Sequence, residues 1–202
     1  MPTDLSTASI KNRFDHLIEI MSSSRFLNKE GLGNEVPFFI CQYKPEENKA
    51  MLDLADQLAR NLDKKGIHVL IVNLYDLSID ILKERGIWDQ IIETEPSISK
   101  DELKELLQSV LDPEQHLVPA IRKKMEHTNF DILFITGVGE VFPYIRSHTV
   151  LNNLQSTAKE KPTVMFFPGE YRQSSLEGSS LSLFGRLLDD NYYRAFDIYK
   201  NF

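Results

Sequence analysis

Apolar side chains along this chain fall into two rhythms. Ile10, Phe14, Leu17, Ile18 and Met21 recur every three or four positions, which predicts an amphipathic helix over residues 5–21. Ser22 to Ser24 ends it, and the polar, glycine-broken stretch 28–34 leads into a strand over 36–41. Pro45 suits the first turn of the next helix, where its missing N–H costs no bond. Glu46 and Glu47 then sit at the positive end of that helix dipole. Met51, Leu54, Leu58 and Leu62 form its inward stripe, Ala55 and Ala59 allow close approach, and Gly66 stops it. A second strand follows at 67–72. Strand, helix and strand in that order read as a right-handed parallel crossover.

Residues 75–128 are helical in pattern almost throughout. Leu77, Ile81 and Leu82 precede a stop at Gly86, and Trp88, Ile91 and Ile92 continue the apolar face. Ser99 with Glu102 is a capping box opening a helix with the stripe Leu103, Leu106, Leu107 and Val110. Pro119 must kink or restart the helix that Asp112 begins. One helix suffices for a crossover, so the surplus is expected to be a helical insertion between strands two and three. Ile132 to Ile135 then form a continuous apolar run, closed by Thr136-Gly137, within the stretch 130–139. A strand covered on both faces reads this way, and it is expected at the centre of the fold. A helical segment over 138–156, a fourth strand over 163–167 ending at Pro168-Gly169, an edge strand over 181–184 and a last helix from Asp189 and Asp190 complete the pattern. The predicted class is α/β: a mainly parallel four- or five-stranded sheet with helices on both faces, as one domain over residues 1–202.

Composition narrows the function more than the fold. Of 202 residues, 42% are hydrophobic and 26% charged, as in an ordinary globular protein. The net charge of −7 argues against a broad nucleic-acid or anionic-membrane footprint. One cysteine, Cys41, excludes an intrachain disulfide and a multi-cysteine zinc site. With no cationic, apolar leader and no membrane-length apolar run, a soluble, cytoplasmic protein is expected.

Ligands of a parallel sheet bind beyond the carboxyl ends of its strands, which selects the loops 42–48, 73–76, 136–140 and 169–173. The first stands where a phosphate loop would. It lacks glycine, its Lys44 is followed by proline, and Glu46 and Glu47 would repel phosphates. The pattern resembles a degenerate phosphate-loop NTPase fold. Gly137-Val138-Gly139 is a fragment of a dinucleotide fingerprint, read instead as a turn needing positive φ; Glu140 is either a general base or magnesium-side carboxylate, or a complement to a helix start. The five histidines show no metal-ligand spacing, and Cys41 reads as a small buried hydrophobe. No catalytic residue, cofactor or metal is assigned.

The C-terminal third interleaves aromatics with arginine, either a binding surface or sheet packing with capped helix ends. Residues 134–139, Phe167 to Tyr171, Leu183 to Gly185, the run 191–196, Asp197-Ile198 and residues 34–40 resemble the BrxB family, a component of bacteriophage-exclusion (BREX) defence systems. The resemblance implies a non-enzymatic adaptor in phage restriction, bound to the phosphatase-like PglZ, with the ATPase BrxC or the methyltransferase PglX as further partners. It supplies no catalytic residues. The alternatives are a nucleotide- or nucleic-acid-binding module and an unrecognised hydrolase. Tyr171, Arg172, Tyr192, Tyr193 and Arg194, outside the predicted strands, are the expected partner-binding residues.

Overall fold

A computed structural model describes residues 5–30, 36–154, 158–174, 178–189 and 195–200. Helix α1 (Ile10–Met21) is capped by Ser9, whose hydroxyl accepts the Asn12 N–H at 3.2 Å. Ser23 caps a second short helix, α2 (Ser24–Leu27), so the serine run ends one helix and starts another. Strand β1 (Phe38–Tyr43) is buried throughout, and a single turn at Pro45–Glu47 leads into α3 (Asn48–Asp63). Strand β2 (Val69–Asn73) runs directly into α4 (Leu74–Glu84), because the Asn73 side chain caps that helix.

Three further helices follow: α5 (Trp88–Thr94), α6 (Lys100–Val110) and α7 (Val118–Glu126). The capping box forms: Glu102 Oε2 accepts the Ser99 N–H at 2.8 Å, and Ser99 Oγ accepts the Glu102 N–H at 3.3 Å. Pro119 restarts the chain as a helix after a wide turn over Pro113–Leu117. The remaining elements are β3 (Ile132–Thr136), α8 (Ser147–Leu154), β4 (Thr163–Ser174), β5 (Gly178–Leu183), β6 (Leu187–Asp189) and β7 (Phe196–Asp197).

The main sheet runs β2-β3-β4-β1-β7, and every neighbouring pair in it is parallel. The topology corrects two expectations and keeps one. β3 is buried on both faces as its apolar run requires, yet β4 is the central strand. The expected parallel crossover is present: β1 and β2 are parallel strands of one sheet, and the connection through α3 passes over the places of β4 and β3. β4 does not stop at Pro168-Gly169 but continues into an antiparallel ribbon with β5, which pairs β6 in turn. The strand expected over 181–184 is present in that ribbon but is not an edge, since Leu181 to Leu183 pair with β4 on one side and β6 on the other. Leu187–Asp189 is a strand where a helix start was expected, and Asp190 lies outside the described residues. The helix expected over 138–156 begins only at Ser147, after turns that include Pro143.

Pleating splits the core in two. Phe38, Ile40, Leu133, Ile135, Met165 and Phe167 face α4 to α8, while Phe39, Cys41, Phe134, Val164 and Phe166 face α1 to α3. Phe134 has no exposed surface and meets Phe166 edge-on at 5.2 Å. Replacing Phe134 with Ala is expected to cost about 3–5 kcal/mol, read from denaturant unfolding. An unchanged midpoint would contradict this packing.

Candidate functional site

At the carboxyl end of the sheet, the turn after β1 is held by side chains. The Tyr43 hydroxyl donates to Asn48 Oδ1 at 2.7 Å, and Asn48 Nδ2 donates to Glu140 Oε1 at 3.1 Å. The turn after β1 is thereby tied to the turn after β3. Glu140 is exposed and lies in a turn, not at a helix start. Burial and the nearby Cys41 and Glu140 push the Tyr43 phenol well above its usual range, so it stays a neutral donor. Gly137 has φ of 72°, as expected for this turn, and packs closely besides: a Cβ there would lie 2.3 Å from Asn73 Oδ1.

Gln42 joins three strands. Its Nε2 donates to Asp197 Oδ2 at 3.0 Å, and its Oε1 accepts the Tyr171 N–H at 2.7 Å. Asp197, itself buried, also accepts the Tyr199 N–H at 3.0 Å and pairs with Lys200 at 2.9 Å. The carboxylate is therefore supplied with donors from three directions.

Below this lies a second buried group. Arg13 has no exposed surface; its guanidinium meets Glu47 at 2.5 Å and donates to the Ala8 carbonyl at 2.9 Å. Cys41 Sγ and the Tyr199 hydroxyl are 3.2 Å apart. Burial pushes the Cys41 thiol up from 9.0 to about 12, against the pull of Tyr199 and Arg13. A thiol held neutral there is a packing group, as the sequence suggested.

The predicted partner residues fare differently. Tyr171 belongs to β4 and is buried, its hydroxyl donating to the Ala195 carbonyl at 2.6 Å. Arg172 belongs to β4 as well, so the expectation that these two lie outside the strands is corrected for both. Arg172 is exposed and pairs with Glu170 at 2.7 Å. Tyr192, Tyr193 and Arg194 lie outside the described residues. Lys44 and Arg172 rim a cavity of about 360 Å³ between the turn after β1 and the β4–β5 ribbon. Among the described residues, no group of three or more His, Cys, Asp or Glu is arranged to hold a metal ion, and no helix is long and apolar enough to cross a membrane.

Sequence reasoning selected the loop 42–48 and named Asp197, but missed the bonding roles of Gln42, Asn48 and Asp197 and the Arg13–Glu47 pair. Only Arg13 carried a signal. It stands three residues after Ile10 and four before Leu17, on the apolar stripe of α1, where a charge needs a partner.

A mainly parallel α/β sheet with a side-chain-filled carboxyl edge defines the class. Within that class the chain belongs to the BrxB family: the family model described as "BREX protein BrxB" matches residues 70–198. A relative of that name from Bacillus cereus (strain H3081.97) is 35% identical over 193 residues, 94% of this chain and 97% of the relative. Another, from Escherichia coli O9:H4 (strain HS), is 29% identical over 187 residues, 93% of this chain and 90% of the relative. No solved structure matches the chain.

Two outcomes test the buried groups. Glu47→Ala strands the Arg13 charge and is expected to cost about 3 kcal/mol, most of it recovered when Arg13→Met is added. Urea unfolding decides; a single variant as stable as the double would remove the pair from the fold's energetics. Because the folded thiol of Cys41 titrates above its usual value, the stability it contributes is complete below pH 9.0 and lost as pH rises towards about 12. Cys41 should therefore react with a thiol reagent only as fast as the protein opens; immediate labelling of the native protein would contradict this.

Proposed function

We propose that this chain is a non-enzymatic adaptor of a bacterial BREX anti-phage system, acting in the cytoplasm and docking on PglZ. The observation that carries the reading is the Tyr43–Asn48–Glu140 bridge. In a phosphate loop, backbone N–H groups converge on an open cradle; here side chains span that position and tie two loops together. The fold is read as a phosphate-loop NTPase relative whose site has closed, with α4 to α7 as an insertion in one domain. This is an argument from architecture and family, not from chemistry. Family membership supports the setting, and the net charge of −7 favours a protein over a DNA partner.

Arg172 at the rim of the β4–β5 ribbon is the exposed anchor of this reading; Arg194, the second arginine expected from the sequence, lies outside the described residues. BrxC and PglX remain further partners of the same assembly. The cavity rimmed by Lys44 and Arg172 favours one competing reading, a nucleotide- or nucleic-acid-binding module.

Pull-down with purified PglZ tests the proposal. Changing Arg172 and Arg194 to Glu is expected to weaken capture, provided circular dichroism shows the variant folded. Undiminished capture would move the interface away from the ribbon, and no capture by the unaltered chain would end the PglZ reading. Titration with labelled ATP and with duplex DNA is expected to show neither binding nor turnover. ATP turnover lost in Lys44→Ala would instead establish an enzyme.

A further inference from the structure

Strand β2 is the outermost strand of the main sheet. Among the described residues it pairs only with β3. The His68 carbonyl accepts the N–H groups of Asp131 at 2.7 Å and Ile132 at 3.2 Å, so it faces β3. Peptide groups alternate in direction along a strand, which turns Leu70 and Val72 towards β3 as well. The N–H and C=O groups of Val69 and Ile71 therefore face the open side. Val69, Leu70 and Ile71 are each partly exposed, whereas every residue of β3 is buried.

The Ile71 end of this open edge, together with Val72 and Asn73 and with Thr136 of β3, lines a groove of about 470 Å³. One wall is α3, through Ala55 and Asp56; the other is α4, through Asp76, Leu77 and Asp80. Lys124 reaches the groove from α7 and lies 3.7 Å from Asp80. Two carboxylates, Asp56 and Asp76, are exposed on opposite walls. Ile71 of the open edge, apolar side chains from both helices and three carboxylates share this lining with Lys124.

We propose that this edge receives an extended segment of a partner protein, which adds as a further strand outside β2 and carries lysine or arginine towards Asp56 and Asp76. Strand addition takes affinity from main-chain bonds and selectivity from the flanking side chains. The acidic rim selects a basic segment and disfavours a second copy of this chain, whose own rim would repel it. The inference deepens the adaptor reading and rests on it, but uses a surface separate from the Arg172 rim.

Short overlapping peptides tiled across PglZ, BrxC and PglX, titrated against the full-length protein, provide the test. Bound peptides are expected to alternate apolar residues and to carry Lys or Arg. Ile71→Pro removes an outward N–H while sparing the ladder to β3, and should weaken binding by about tenfold or more. Asp56→Lys with Asp76→Lys, both at exposed sites, should do the same and serves if the proline variant fails to fold. Amide exchange at Val69 and Ile71, followed by NMR, should slow on binding. Capture of no peptide, binding indifferent to the charge reversal, or unchanged exchange at both amides overturns the proposal. A concentration-dependent dimer abolished by Ile71→Pro overturns it in favour of self-pairing. Capture of intact PglZ with no peptide bound would leave the adaptor standing and remove the edge; peptides bound without capture of any intact partner would keep the edge and remove the adaptor.

Discussion

The carboxyl edge of this sheet depends on a mismatch in length between two of its inner strands. β1 has six residues and β4 has twelve, and their last paired residues are Tyr43 and Pro168. Beyond that point β4 has lost its partner on the β1 side. The Tyr171 N–H is buried there and must find an acceptor, which the Gln42 side chain supplies. On the other edge, Pro168 contributes only a carbonyl, taken by the Phe184 N–H at 2.9 Å. Gly169 then lets the ribbon fold close: a Cβ at this position would fall 2.2 Å from the Ser182 carbonyl oxygen. The change from parallel to antiparallel pairing within one strand thus needs a glutamine from β1 and a glycine in β4.

Once Gln42 is committed to Tyr171, its amide nitrogen needs an acceptor inside the protein, and Asp197 provides it. A buried carboxylate is costly unless donors surround it, so Tyr199 and Lys200 are drawn to the same place. The network is a chain of obligations that follows from one orphaned backbone group. Leaving any buried member unpaired costs more than the net gain from a typical hydrogen bond, about 1 kcal/mol. Such a network specifies how β7 meets β1 more than it adds stability.

Helices and strands were legible wherever burial leaves a periodic trace. The stripe of α3, the capping box at Ser99 and the apolar run of β3 all appear in place, with shifts of a residue or two. Strand order was not legible, because an apolar run records that both faces are covered and not which strands lie beside it. Pro168-Gly169 looked like an end because proline and glycine usually punctuate strands; here they mark a change of partner within one. Asp189 looked like a cap, but the chain before it pairs back on β5. The site was least legible. Asn48, Glu140 and Asp197 lie far apart in the chain, and no local pattern brings them together.

The two ends of the sheet's bonding capacity are treated differently. At the carboxyl edge, side chains answer the strand ends: Asn73 caps α4, Tyr43 and Asn48 span the turn after β1, and Gln42 takes the Tyr171 amide where β4 outruns β1. Such closure fixes the loops at this edge as one preorganised surface. At β2 the chain leaves Val69 and Ile71 without a strand partner among the described residues and sets Asp56, Asp76 and Asp80 around the Ile71 end. Charge beside an open strand is a common guard against unwanted pairing, because a neutral apolar segment gains nothing from the rim while an acidic copy is repelled. The same charge leaves a basic segment unopposed. A guard of one sign is therefore also a filter, and physical chemistry gives the edge a preferred guest without any further residue.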